Sequence, residues 1–272
     1  MKTIKILALS ILIILPLAKN THAGENPYNN DFLLGIGVKT IYSISEPAWT
    51  QYYDSTDIGR QILTGPLLSL TMFDWFNISY SGVMNILQDD TTLTKSDSYG
   101  GTPETRTMKM KITRIEQDAT IAATGAGYSF FLGVKLVDVW SDDEPENVHA
   151  MRVTGRGFGF GASSKTPLTG NLSYQWSFAG TFMYTKNELP FYYDADSSPI
   201  ALYGTATSTY IGMGGNLLVS LIYYIDYLDV AFIAGARCNL AITINTDEND
   251  SYDIYGAFEK NYSLELSVIH MH

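Results

Sequence analysis

The sequence predicts an all-β chain, an antiparallel up-and-down transmembrane β-barrel of about ten strands, with eight or twelve as the neighbouring solutions. Three observations predict it. Apolar and polar residues alternate with period two in segment after segment; the segments are longer than the roughly 5–6 residues usual for strands of soluble proteins; and the links between them are by turns short and long. A strand crossing a bilayer needs about 9–11 residues with one face toward lipid, and closure of the sheet satisfies every backbone group where there is no water.

Alternation places the strands near 31–42, 60–72, 75–86, 106–124, 129–140, 150–163, 170–185, 203–224, 227–244 and 252–269. The clearest is 170–184. Leu172, Tyr174, Trp176, Phe178, Phe182 and Tyr184 share one face, against Asn171, Ser173, Gln175, Ser177 and Thr181 on the other. Phe76, Ile78, Tyr80 and Met84 stand against Asn77, Ser79, Ser81 and Asn85 in the same way. Pro66 lies within the second segment, where a proline removes one ladder donor. Short turns are expected at Asp74, Gly127-Tyr128, Ser163 to Thr169 and Asp226, and long loops at 43–59, 87–105, 141–149, 186–202 and 245–251. A soluble β-sandwich also alternates, but the length of these segments favours the barrel.

Ahead of the strands, Lys2 and Lys5 precede an apolar run from Ile6 to Ala18, and Thr21-His22-Ala23 offers a small residue before Gly24. This is the pattern of a cleaved export signal over 1–23, leaving 24–272 as one barrel domain. The run is shorter than the about 20 residues of a membrane-spanning helix. Cys238 is the sole cysteine, so no intramolecular disulfide forms, and its parity puts it on the lipid side.

The chain has 17 Lys and Arg against 28 Asp and Glu, and without residues 1–23 the balance is 14 against 28, net −14. Such a charge excludes nucleic acid as a partner. The five long loops hold 17 of the acids, among them Asp142, Asp143, Glu144 and Glu146 in the third loop and Asp247, Glu248 and Asp250 in the fifth. Oxygen-rich loops of this kind suit loosely held Ca²⁺ or Mg²⁺, although solvated, solubilising loops are the plainer reading. No other cofactor is expected. Asp247, Asn249, Ser251 and Asp253 have alternate-oxygen spacing, but the glycine and distal glutamate of a calcium loop are missing.

Charges within strands must point inward, since an ionised group facing hydrocarbon costs roughly 2–4 kcal/mol at the midplane. Lys39, Arg114, Glu116, Asp118, Lys135, Asp229, Arg237, Glu259 and Glu265 are therefore expected to form a lumenal network, with both arginines finding carboxylate partners. The network either plugs the barrel or lines a narrow path for ions or small solutes. The run from Gly155 to Gly161 is a strand with small residues inside and Phe158 and Phe160 outside, since no helix follows it as a phosphate loop requires. His270 and His272 could share one face of a strand, but no carboxylate or cysteine nearby in sequence completes a metal site, and exposed terminal histidines are the simpler reading.

Over the whole mature chain, the pattern resembles small outer-membrane β-barrel proteins of Gram-negative bacteria. Its last strand carries the strongest signal, with Tyr262, Leu264, Leu266 and Val268 alternating with Ser263, Glu265 and Ser267. That class usually ends in an outward aromatic residue read by the assembly machinery, where this chain has His270 and His272. The resemblance implies an outer-membrane location with periplasmic short turns. It also implies contact with membrane lipid, lipopolysaccharide and the assembly machinery, and a monomeric state. Two enzyme classes of such barrels fit poorly. Omptin proteases pair two aspartates with a His-Asp pair at the outer mouth, yet beside Asp89 and Asp90 the only loop histidine is His149; lipid A deacylases need a Ser-His arrangement that His270 is placed too low to supply. A non-catalytic surface or structural barrel is the first functional expectation, a narrow channel the second and a hydrolase or lipid-modifying enzyme the third.

Overall fold

The structure is a computed structural model that describes residues 32–47, 55–58, 60–73, 75–88, 91–97, 104–125, 127–141, 151–192, 202–246 and 257–272. The expected signal segment 1–23 and loop acids Asp142, Asp143, Glu144, Glu146, Asp247, Glu248 and Asp250 lie outside the described residues.

Thirteen strands are described: β1 Phe32–Glu46, β2 Ser55–Asp57, β3 Gln61–Met72, β4 Phe76–Gln88, β5 Thr91–Asp97, β6 Glu104–Met110, β7 Ile112–Gly125, β8 Tyr128–Ser141, β9 Arg152–Thr169, β10 Leu172–Tyr192, β11 Leu202–Ile225, β12 Val230–Asn245 and β13 Ala257–Met271. Ten of them close into a barrel in the order β1-β13-β12-β11-β10-β9-β8-β7-β4-β3. All ten junctions are antiparallel. The predicted fold class and strand number are those observed.

The remaining three strands form a separate sheet, β2-β5-β6, from segments read in the sequence as loops 43–59 and 87–105 and as the start of a strand at 106. Period-two alternation located membrane strands by their greasy face. Thr91–Asp97 has Leu93 as its only apolar residue and reads as loop, whereas 106–110 reads as the start of one strand over 106–124, which the structure divides into β6, ending at Met110, and β7, beginning at Ile112. A second difference concerns 163–169, expected as a short turn. These residues extend β9, and Ser164, Lys165, Thr166 and Pro167 pair with Trp176, Gln175, Tyr174 and Ser173. The turn proper falls at Gly170-Asn171, where Gly170 has φ 42°.

Inside and outside follow from the pleat. In β1, Gly35, Gly37, Lys39, Ile41 and Ser43 are buried on the inner face. On β8, Tyr128, Phe130, Leu132, Val134 and Leu136 are all exposed outward. Such an apolar outer belt is stable only against hydrocarbon. Phe32, Phe73, Trp75 and Tyr128 are exposed at the short-turn end, and the Phe32 and Phe73 rings lie 5.6 Å apart. Tyr184, Phe258 and Tyr262 are exposed toward the long-loop end. These two groups are aromatic girdles of the kind found where a barrel meets the lipid headgroups.

Pro66 is accommodated at a gap. β3 pairs with β1 without interruption, Val38 lying opposite Pro66, but its pairing with β4 skips Gly65 and Pro66 between Thr64↔Met84 and Leu67↔Ser81. The missing N–H therefore falls on the side where no rung is made. Nearby, the register changes between Ile62 and Leu63, a bulge that inserts Ile86 and turns Leu87 outward.

The chain end is held on both sides. Leu34 and His272 exchange backbone hydrogen bonds of 2.9 and 2.7 Å, and the Met271 N–H donates to the Asp229 carbonyl at 2.8 Å. His270 is consequently buried rather than exposed as expected, with its ring 4.1 Å from that of His272.

Candidate functional site in the barrel lumen

Eight of the nine predicted lumenal charges lie on inward-facing positions: Lys39 on β1, Arg114, Glu116 and Asp118 on β7, Lys135 on β8, Arg237 on β12, and Glu259 and Glu265 on β13. The set holds four cations and four anions. Asp229, the ninth, is placed elsewhere. A one-turn 3-10 helix at Asp226–Leu228 delays the start of β12 to Val230, and Asp229 closes that turn with φ 50°. Its carboxylate accepts the Tyr224 hydroxyl at 3.0 Å. Aspartate tolerates this left-handed conformation better than most residues, which suits it to the turn.

The register explains how the charges meet. Glu265 lies opposite Ile41 and Gly235, so Lys39 and Arg237, each two residues from those partners, flank its carboxylate diagonally. Lys39 Nζ lies 3.2 Å from Glu265 Oε2. Arg237 holds its guanidinium against the same carboxylate, Nη2 donating to Oε2 at 3.2 Å and Nε lying 2.6 Å from Oε1. A charge-assisted hydrogen bond of this kind is stronger than one between neutral groups. The Glu265 side chain is only 9% exposed.

A second cluster is built on β7 and β8. Lys135 lies opposite Asp118 and diagonal to Glu116. Its ammonium is 2.6 Å from Glu116 Oε2 and 3.9 Å from Asp118 Oδ1. Arg114, two residues along the same inner face, places Nη2 2.5 Å from Glu116 Oε1 and donates from Nη1 to Ser45 Oγ on β1 at 3.4 Å. Asn85 fixes the backbone beneath it: its Nδ2 donates to the Ile112 carbonyl and its Oδ1 accepts the Arg114 N–H, each at 2.7 Å. The β4–β7 pairing ends at Met84↔Ile115, and the Asn85 amide continues its hydrogen bonding one step further. This role was not read from the sequence, where Asn85 counted only as a polar member of its strand.

A cavity of about 370 Å³ lies among these groups, lined by Lys39, Arg114, Asp118, Lys135, Arg237 and Glu259 together with the amides and hydroxyls of Asn187, Asn216, Asn239, Asn261, Thr181 and Thr243. Glu259 borders it without an ion pair among the described residues. Toward the short turns the inner face is made of small buried residues, including Ser163, Ser220 and Ser267. Chemically, the arrangement presents fixed, mutually neutralised charge and neutral hydrogen-bonding groups to a small polar space.

Outside the barrel, three further ion pairs sit toward the long loops: Arg152–Asp138 at 3.4 Å, Lys186–Glu188 at 2.7 Å and Lys260–Glu46 at 3.1 Å. The hydrogen bond from Lys186 holds the Glu188 carboxyl below the usual carboxylate range. Exposed pairs of this kind contribute about 0–1 kcal/mol each.

No family model matches the chain, and its sequence matches no curated protein. It is similar to solved outer-membrane barrels at low identity. These include the outer membrane protease OmpT from Escherichia coli (10% identity, 94% of this chain and 100% of that chain, TM-score 0.47). The β domain of the Bordetella autotransporter BrkA aligns at 10% identity over 87% of this chain and 98% of that chain, with TM-score 0.42. Neisserial surface protein A aligns at 11% identity over 89% of this chain and 97% of that chain, with TM-score 0.39.

Proposed function

We propose that this chain is a monomeric, non-catalytic outer-membrane protein of a Gram-negative bacterium. In this reading its barrel is a closed scaffold that displays acidic loops for contact with the surface or envelope. The observation that supports it best is the mutual neutralisation of the lumenal charges: Glu265 is tied to cations on the neighbouring strands β1 and β12, and Glu116 to cations on β7 and the adjoining β8. Charges paired along the wall in this way fill the inner face with long side chains whose charges are already satisfied, which suits a scaffold better than a conducting path. The outer apolar belt and its two girdles suit lipid, and alternately short and long connections suit periplasmic turns and exterior loops. Lipopolysaccharide and the assembly machinery are its natural partners.

The expected result is recovery in the outer-membrane fraction as a heat-modifiable band, followed by electrically silent insertion into planar bilayers. Recovery as a soluble periplasmic protein would overturn the location. The cavity of about 370 Å³ favours a second reading, a narrow channel. Stepwise currents whose ion selectivity changes in Lys135→Ala would establish that reading and sink the closed scaffold.

A further inference from the structure

The outer face of β8–β10 breaks the rule that charges avoid the lipid side. Register places Leu136, Arg156 and Tyr184 in one row, Asp138, Thr154 and Lys186 in the next, and Trp140, Arg152 and Glu188 in the one beyond. Arg152, Arg156, Tyr184 and Lys186 are all exposed, on the same outward parity as Phe158 and Phe160. Arg152 and Lys186 have carboxylate partners, whereas Arg156 makes no ion pair among the described residues. Among the described residues the patch therefore carries one cation more than its acids neutralise.

Its height on the barrel is as informative as its charge. The exposed Tyr128 marks the short-turn girdle in a row with Ser164 and Trp176, and the Arg156 row lies about eight residues farther along, close to the 9–11 residues that span a bilayer. Arg156 thus stands level with Tyr184 at the opposite interface. Beside it stands Leu136, and immediately below it Val134, Phe158 and Phe160 are each 52–56% exposed, with Phe158 stacked on Phe182 at a ring-centroid distance of 5.0 Å. Cations at the headgroup level over a wide apolar and aromatic strip match a molecule with anionic groups above several acyl chains.

We propose that Arg152, Arg156 and Lys186 form a binding site on the barrel exterior for the phosphate groups of lipopolysaccharide, with its acyl chains against the Val134–Phe158–Phe160 strip. The inference rests on the outer-membrane reading above and gives it a specific partner surface. Guanidinium groups hold phosphate through paired N–H donors, and in the partly desolvated interface such bonds are stronger than in water.

The test uses the full-length mature protein, folded in detergent and titrated with bisphosphorylated lipid A by native mass spectrometry. The triple variant Arg152→Gln, Arg156→Gln, Lys186→Gln should bind about tenfold more weakly or worse. Lys260→Gln, on the other side of the barrel, should bind as the native chain does. Dephosphorylated lipid A should bind the native chain no better than lipid A binds the triple variant, and inorganic phosphate should not compete. Equal binding by native and triple-variant protein, or by phosphorylated and dephosphorylated lipid, would overturn the site. Equal binding of phosphatidylglycerol would also overturn it, in favour of a general anionic-lipid surface. If the triple variant does not fold, Arg156→Gln alone carries the comparison through its effect on affinity. A chain that binds no lipid and fractionates as soluble would remove the outer-membrane reading as well; one that inserts but ignores lipid A would remove only the site.

Discussion

Glu265→Ala should lower unfolding stability in detergent micelles by about 3–5 kcal/mol, read as a shift of the urea midpoint, because it strands two buried cations at once. Lys39 and Arg237 both converge on that carboxylate, and their side chains are 10% and 23% exposed. Removing Arg237 instead leaves Glu265 with Lys39, so Arg237→Ala should cost less. Asp143→Ala, in the segment the sequence reads as the third long loop, should leave the midpoint within about 0.5 kcal/mol of native. A double variant, Arg237→Met with Glu265→Leu, should recover part of the loss, since apolar groups of similar size often replace a buried pair at little cost. If Glu265→Ala and Asp143→Ala unfold at the same urea concentration, the lumenal pairs do not brace the barrel and the lumen is effectively water-filled.

Gly161→Ala should be strongly damaging for so small a change. A Cβ at this position would collide with the Phe178 carbonyl and the Phe131 ring and lie 2.9 Å from Ala179 Cα. Two of these obstacles are backbone atoms of the neighbouring strand, which cannot swing aside as a side-chain tip can. Overpacking of this kind costs typically about 1–3 kcal/mol and occasionally more. The readout is the fraction of protein reaching the heat-modifiable folded form. Gly180→Ala is the matched control, because its added Cβ would meet only the Phe160 ring edge, at 3.5 Å and beyond. Equal folded fractions for the two variants would show that β9 and β10 can separate at Gly161 without loss.

The barrel was legible because membrane strands must be greasy on one side along their whole length. Leu172 to Tyr184 shows this directly, and the same parity sent Arg114, Glu116, Lys135 and Arg237 inward. Parity does not say which acid meets which base. The pairing of Glu265 with Lys39 depends on the register between the first and last barrel strands, which are 226 residues apart at these positions, and sequence alone contains no ruler for that. Asp229 was misplaced because the alternation was continued through a turn whose left-handed residue is visible only in the backbone. The outward position of Arg156 is legible too, since it shares the parity of Phe158 and Phe160 within a run whose inner face is glycine. The β2-β5-β6 sheet was not legible as a sheet separate from the barrel: 106–110 reads as part of the barrel strand that follows it, and Ser55–Asp57 and Thr91–Asp97 lack an unbroken apolar face.

The gap beside Pro66 gives the cylinder a mechanical grain. Along β10 and β11 the rungs continue without a break from Leu172 to Pro190, so that wall resists shear, whereas β3 and β4 lack rungs at Gly65 and Pro66 and change register a few residues away. A tube with one compliant line does not deform evenly; lateral pressure flattens it about that line. Here the line is spanned from within. β1 and β7 stand on either side of the β3–β4 pair, and the Arg114 guanidinium on β7 reaches Ser45 on β1. The same arginine that neutralises Glu116 is thus a tie-rod across the softest part of the wall, fastening the hoop where its own backbone is least continuous.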